Sequence, residues 1–179
     1  HYVRALGAAR IGALVGAQKD VEKLGEIRDA LSNAKQDYWA KQVEIQRQTA
    51  AAWVTLAKGE GKEAVKLMRV AADLEDSTYK NPVMPAYILP ARELLGDMLL
   101  ELQQPAQALA EYEASLRAVP NRFNGLYGAA RAAQIAVEEG VVELDTEAGP
   151  PGSTVRHLLA HAAGYSMQSS ELISKPGQR

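Results

Sequence analysis

The stretch LPARELLGDMLLELQQPAQALAEYEASLRAVP, residues 89–120, admits few folds. Its apolar residues recur three and four positions apart on either side of a short break, the pattern of two amphipathic helices joined by a turn. Gly96 and Ala108 are placed where the two antiparallel helices cross, because only a small side chain lets two backbones approach. Leu95, Leu99 and Tyr112 fill the space around that crossing. Pro120 stops the second helix, since it lacks an amide hydrogen and clashes with the preceding turn.

The same periodicity predicts further helices along the chain. Two lie between Val3 and about Leu31, separated near Gly12 to Gly16. A longer one covers 36–58, and Gly59-Glu60-Gly61 breaks it, because two glycines weaken a helix and permit a tight turn. Others are expected over 62–76, 90–102, 106–119 and 122–139, with the proline-punctuated loop Asn81-Pro82-Val83-Met84-Pro85 between the first two of these. Ala17, Ala64 and Ala108 each fall early in the second helix of a pair, 47 and 44 residues apart. A fourth unit begins at Phe123 with Leu126, Ala129, Ala130 and Ala133, but no second helix follows it.

Bulk properties agree with close-packed helices. Aromatic residues make up only 6% of the chain, whereas strands favour aromatic and β-branched side chains. The formal net charge of -2 gives no reason to expect nucleic acid or an acidic membrane surface as a partner. With no cysteine there is no disulfide framework, thiol nucleophile or thiolate metal site, which suits a reducing cytoplasm. No apolar run approaches a membrane span. The chain opens at His1 inside a helical pattern, which leaves room for upstream sequence, a signal peptide included.

Residues 89–120 resemble a tetratricopeptide repeat over the repeat's full length: Leu95-Gly96, Leu99, Ala108, Tyr112, Ser115 and Pro120 match its pattern of large and small apolar, aromatic and proline positions. The observed spacing exceeds that family's period of about 34 residues, so longer helices or loops between pairs are expected. The resemblance implies an all-α fold of antiparallel helix pairs forming a right-handed superhelix over 1–136. It also implies a non-enzymatic scaffold that binds an unknown protein or peptide on the concave face lined by the first helix of each pair. Transferring the register puts Gln46, Thr49 and Trp53 on that face in the second pair, Glu93 and Asp97 in the third, and Asn124, Tyr127 and Arg131 in the fourth. Asn124 and Arg131 only partly echo the asparagine and lysine set with which chaperone-tail binders of this family clamp a carboxylate.

From about Ala136 the pattern changes. Residues 137–179 carry six acidic and three basic side chains and a rigid Pro150-Pro151-Gly152 break. This segment, through Thr154-Val155-Arg156-His157-Leu158-Leu159, His161, Gly164 and Lys175-Pro176-Gly177, resembles an internal piece of a serine β-lactamase or penicillin-binding-protein-like hydrolase. The alternative function is therefore a hydrolase remnant with a helical accessory domain, and the abrupt junction also fits a mosaic reading frame. The resemblance places a Ser-x-x-Lys nucleophile upstream and a Tyr-x-Asn motif downstream, and neither stands in that order here. Ser77-Thr78-Tyr79-Lys80 has the first spacing, but it sits before Asn81-Pro82 and is read as a helix end. No catalytic residue is therefore assigned.

Two further motifs fail on chemistry. His157 and His161 share a helix face at a zinc-compatible spacing, yet Leu158 stands where a metalloprotease needs Glu and no third ligand is evident. Gly59-Glu60-Gly61-Lys62 lacks the earlier glycine of a phosphate loop, and Glu63 replaces the magnesium-holding hydroxyl. No metal or cofactor is expected. Glu93, Asp97, Glu101, Glu111 and Glu113 are read as solvated helix faces. A short irregular or helical appendage is expected after the repeats, with Val137–Gly140 continuing the last helix and a helix over 153–163 docking on it. Without that cover, Leu126, Ala130 and Ala133 would form an uncovered edge through which the chain could self-associate.

Overall fold

The computed structural model describes residues 1–78 and 89–140, and the described residues are all-α. Seven helices follow in order: α1 Tyr2–Arg10, α2 Leu14–Asn33, α3 Asp37–Ala57, α4 Gly61–Asp76, α5 Ala91–Glu101, α6 Pro105–Ala118 and α7 Phe123–Glu138. The expected helix over 153–163 and the histidines at 157 and 161 lie outside the described residues, as do Tyr79 and Lys80.

Three connections, each inside a helix pair, share a geometry that the α2–α3 link also has at Lys35, φ 55°. Residues 11–13, 58–60 and 102–104 join α1 to α2, α3 to α4 and α5 to α6, and each has a left-handed residue at its centre: Gly12 at φ 76°, Gly59 at φ 85° and Gln103 at φ 56°. These three positions recur 47 and 44 residues apart, the spacing of Ala17, Ala64 and Ala108. The left-handed residue closes the preceding helix by letting the next amide reach back to the last turn. Ala13 N donates to Ala8 O at 2.8 Å, and Glu60 N donates to Thr55 O at 3.2 Å. Pro105 then opens α6 at a position where a missing amide costs nothing.

The helices pack as two units, divided between Leu102 and Gln103. In the first, α1 packs on α2 and α3, α2 on α3, α3 on α4 and α5, and α4 on α5. Helix α3 is thus the centre of this unit. Its Ile45, Ala50, Ala52, Trp53 and Val54 are buried, together with Met68 of α4 and Leu94, Leu95, Met98 and Leu99 of α5. In the second unit α6 packs on α7. There Tyr112 is 1% exposed, and its ring lies so close to Gly128 that a Cβ at that position would overlap it. The expected division at Ala136 falls inside α7, which runs on to Glu138.

Polar links tie the apolar layers together. Arg4 Nε donates to Asp20 at 2.6 Å and joins α1 to α2. Glu44 of α3 accepts from Arg28 of α2 at 2.8 Å and from Arg47 and Gln48 of its own helix at 2.7 and 2.8 Å. Burial would raise the Glu44 carboxyl, but the Arg47, Gln48 and Arg28 hydrogen bonds outweigh it and lower the pKa to about 2. Between α4 and α5, buried Glu75 accepts from Ala91 N at 3.0 Å, satisfying a helix-start amide that Pro90 at the cap cannot reach. Arg92 reinforces that junction through Asp76 and Asp73 at 2.5 and 2.7 Å.

On α7, Ala130 and Ala133 are 4% and 0% exposed, and Leu126 is half-buried. The large apolar side chains that α7 does expose are Phe123 and Tyr127.

Candidate functional site

Helices α1, α3 and α5 meet along one face of the first unit, and a charged cluster forms where they do. Arg10 ends α1, and its guanidinium lies 4.3 Å over the indole of Trp53 on α3. The same Arg10 Nη2 stands 3.4 Å from Glu101 Oε1 and 3.7 Å from Asp97 Oδ2, both on α5. A guanidinium is planar and weakly hydrated, so it can lie on an aromatic ring while its edges address carboxylates. Arg10, Asp97 and Glu101 keep 47%, 42% and 51% of their side chains exposed, so the cluster is reachable from solvent while Trp53, at 2%, is its buried floor. Burial raises the Glu101 pKa; Arg10 opposes that shift and Asp97 adds to it.

The face continues beneath the cluster. Thr49 lies one helical turn before Trp53 and is fully buried, with Tyr2 of α1 beside it. Burial drives the Tyr2 hydroxyl well above its ordinary pKa, the negative charge of Glu75 pushes it further, and the Thr49 hydroxyl acts in the opposite direction. Trp53 Nε1 is buried without a hydrogen-bond partner among the described residues. Leaving such a donor unmet costs roughly 1–3 kcal/mol.

The structure thus brings Trp53 and Asp97, two of the sequence-predicted site residues, to a single arginine. Thr49 and Glu93, at 0% and 4% exposure, line the interior of the same face, and Gln46 is half-buried one turn before Thr49. Glu93 is therefore not the solvated carboxylate that its residue type suggested. Asn124, Tyr127 and Arg131 are exposed on α7 in the second unit, where Tyr127 stacks on Phe123 with ring centroids 6.1 Å apart and planes inclined by 14°.

Arg10 is the functional candidate that sequence reasoning missed. In the register set by Gly12, Gly59 and Gln103 it occupies the position of Ala57 and of Glu101, but its nearness to the carboxylates comes from the packing of the helices.

The motifs set aside on sequence grounds have structural roles. Ser77 Oγ and Thr78 Oγ1 both donate to Leu74 O, at 3.0 and 2.6 Å, closing the end of α4. Gly59-Glu60-Gly61 forms the α3–α4 turn and follows a helix, whereas a phosphate loop follows a strand. Among the described residues no group of three or more His, Cys, Asp or Glu side chains could hold a metal ion, and no helix is long and apolar enough to cross a membrane.

No family model, curated protein or solved structure matches this chain.

Proposed function

We propose that the chain is a non-enzymatic interaction scaffold of the tetratricopeptide kind, and that the face shared by α1, α3 and α5 receives a segment of a partner protein. The observation that carries this reading is the Arg10–Trp53–Asp97–Glu101 cluster. Three helices, with residues up to 91 positions apart in sequence, converge on one half-exposed set of charges over an aromatic floor. Stability alone gives little reason for the arrangement, because exposed ion pairs are worth about 0–1 kcal/mol and an exposed cation–π contact about 0.5–1 kcal/mol. A mixed cluster of this kind offers a partner both a donor fork and carboxylate acceptors, fixed in position by rigid helices.

The test is a selection from a random peptide library displayed on phage, with the full chain as bait, followed by solution affinities of the enriched peptides. Arg10→Ala and Glu101→Ala alter half-exposed side chains and should leave the circular dichroism spectrum unchanged. The expected result is that both variants bind the selected peptides at least tenfold more weakly. Selected peptides that bind both variants as tightly as the native chain would reject this face as the binding surface.

A further inference from the structure

The Arg10 cluster stands wider than other arginine–carboxylate contacts of the first unit. Arg28, Arg47 and Arg92 each meet a carboxylate, at 2.8, 2.7 and 2.7 Å. Arg10 stands 3.4 Å from Glu101 and 3.7 Å from Asp97. A charge-assisted hydrogen bond closes to about 2.7–2.9 Å. A guanidinium carries about five N–H donors and a carboxylate about four lone-pair sites. Among the described residues Arg10 and Glu101 share one hydrogen bond, the long one to each other. Both therefore keep most of their hydrogen-bonding capacity, on side chains that are about half exposed.

Trp53 supplies an independent observation. Its indole lies 4.3 Å beneath the guanidinium, and its buried Nε1 donates to nothing among the described residues. Arg10 ends α1 with a half-exposed, flexible side chain, whose rotation can admit an acceptor to the indole. A buried donor held in a fixed place discriminates strongly, because a ligand without the matching acceptor leaves it unmet.

Charge decides which chemistry completes the set. A carboxylate or phosphate placed on Arg10 would also face Asp97 and Glu101. An ammonium placed on Glu101 would also face Arg10. Like charges brought together in an interface cost affinity. A neutral group that both accepts and donates avoids both penalties. A primary carboxamide does so from one edge: its oxygen accepts and its NH2 donates. We propose that the face shared by α1, α3 and α5 recognises an asparagine or glutamine side chain of the partner segment, with Arg10 and the Trp53 indole donating to its oxygen and Glu101 accepting from its NH2. This rests on the reading of that face as a binding surface and adds the side chain that the face selects.

The experiment titrates alanine pentapeptides whose central residue is glutamine, glutamate, lysine or alanine into the isotope-labelled full chain. Their ends are acetyl and methylamide, so no terminal charge or primary carboxamide competes. The signals followed are the backbone amides of Arg10 and Glu101 and the indole N–H of Trp53, assigned by comparison with Trp39→Phe, which alters a side chain at the surface. The glutamine peptide is expected to move all three signals and to bind about tenfold tighter than the others, the worth of one hydrogen bond to a charged group. Arg10→Ala and Glu101→Ala should each reduce it to the affinity of the alanine peptide. The proposal is overturned if the glutamate or lysine peptide binds as tightly as the glutamine peptide, or if the alanine peptide does, which would give the site to the main chain. It is also overturned if the indole signal stays still, or if no peptide binds at millimolar concentration. The phage selection keeps the two readings apart: enriched peptides that lose affinity for Arg10→Ala but share no asparagine or glutamine would sustain the binding face and overturn the carboxamide.

Discussion

Glu44 shows how one side chain can make a helix junction sensitive to pH. Its carboxylate takes hydrogen bonds from Arg28, Arg47 and Gln48, which together overcome the cost of burial. Because its pKa falls on folding, from an ordinary value near 4.5 to about 2, its contribution is complete above the unfolded value and is lost as pH drops through that window. Glu44→Gln is therefore expected to be less stable than the native chain at pH 7, with the gap closing between pH 5 and pH 2; a gap independent of pH in urea melts would contradict this. Two glycines make an opposite-signed pair. Gly128→Ala drives a methyl group into the ring of Tyr112 and should cost about 1–3 kcal/mol through overpacking. Gly7→Ala adds a methyl group in open space inside a helix and should gain roughly 0.5–1 kcal/mol. A Gly128→Ala melting temperature equal to or above the native one would refute the packing described for α6 and α7.

At the scale of elements, the helices were legible in the sequence and the site only in part, through Trp53 and Asp97. The expectation of a helix over 36–58 meets Asp37–Ala57, and that over 62–76 meets Gly61–Asp76, because periodicity and glycine breaks are local signals. Glu93 was misread because a carboxylate announces a surface by its residue type, whereas its register position, shared with Tyr2 and Thr49, is an interior one. Arg10 stayed hidden because its partners stand 87 and 91 residues away, and only the packing of α1, α3 and α5 brings them together. The turns carry their own prediction. Gly59 occupies a left-handed conformation, so Gly59→Ala should cost about 1–2 kcal/mol. Gln103 bears a side chain in the corresponding conformation, and Gln103→Gly should raise the melting temperature. If Gln103→Gly lowered it as much as Gly59→Ala does, the equivalence of the two turns would be lost.

For the molecule as a whole, packing in the first unit joins helices one or two places apart along the chain, and in the second it joins consecutive helices. A chain ending at Gly140 is expected to give a strongly helical circular dichroism spectrum, since α7 closes at Glu138 with its own cap. A coil-like or sheet-dominated spectrum would show that the helices depend on the remaining residues. The three-residue links at 11–13 and 58–60 also bear on kinetics. Bringing two helices together costs little loop entropy when so few residues separate them, and helical proteins dominated by near-neighbour packing fold in microseconds to milliseconds. During synthesis α1 and α2, and then α3 and α4, can therefore collapse on one another before the later helices exist, which shortens the time their alanine-rich faces spend open to the wrong neighbours.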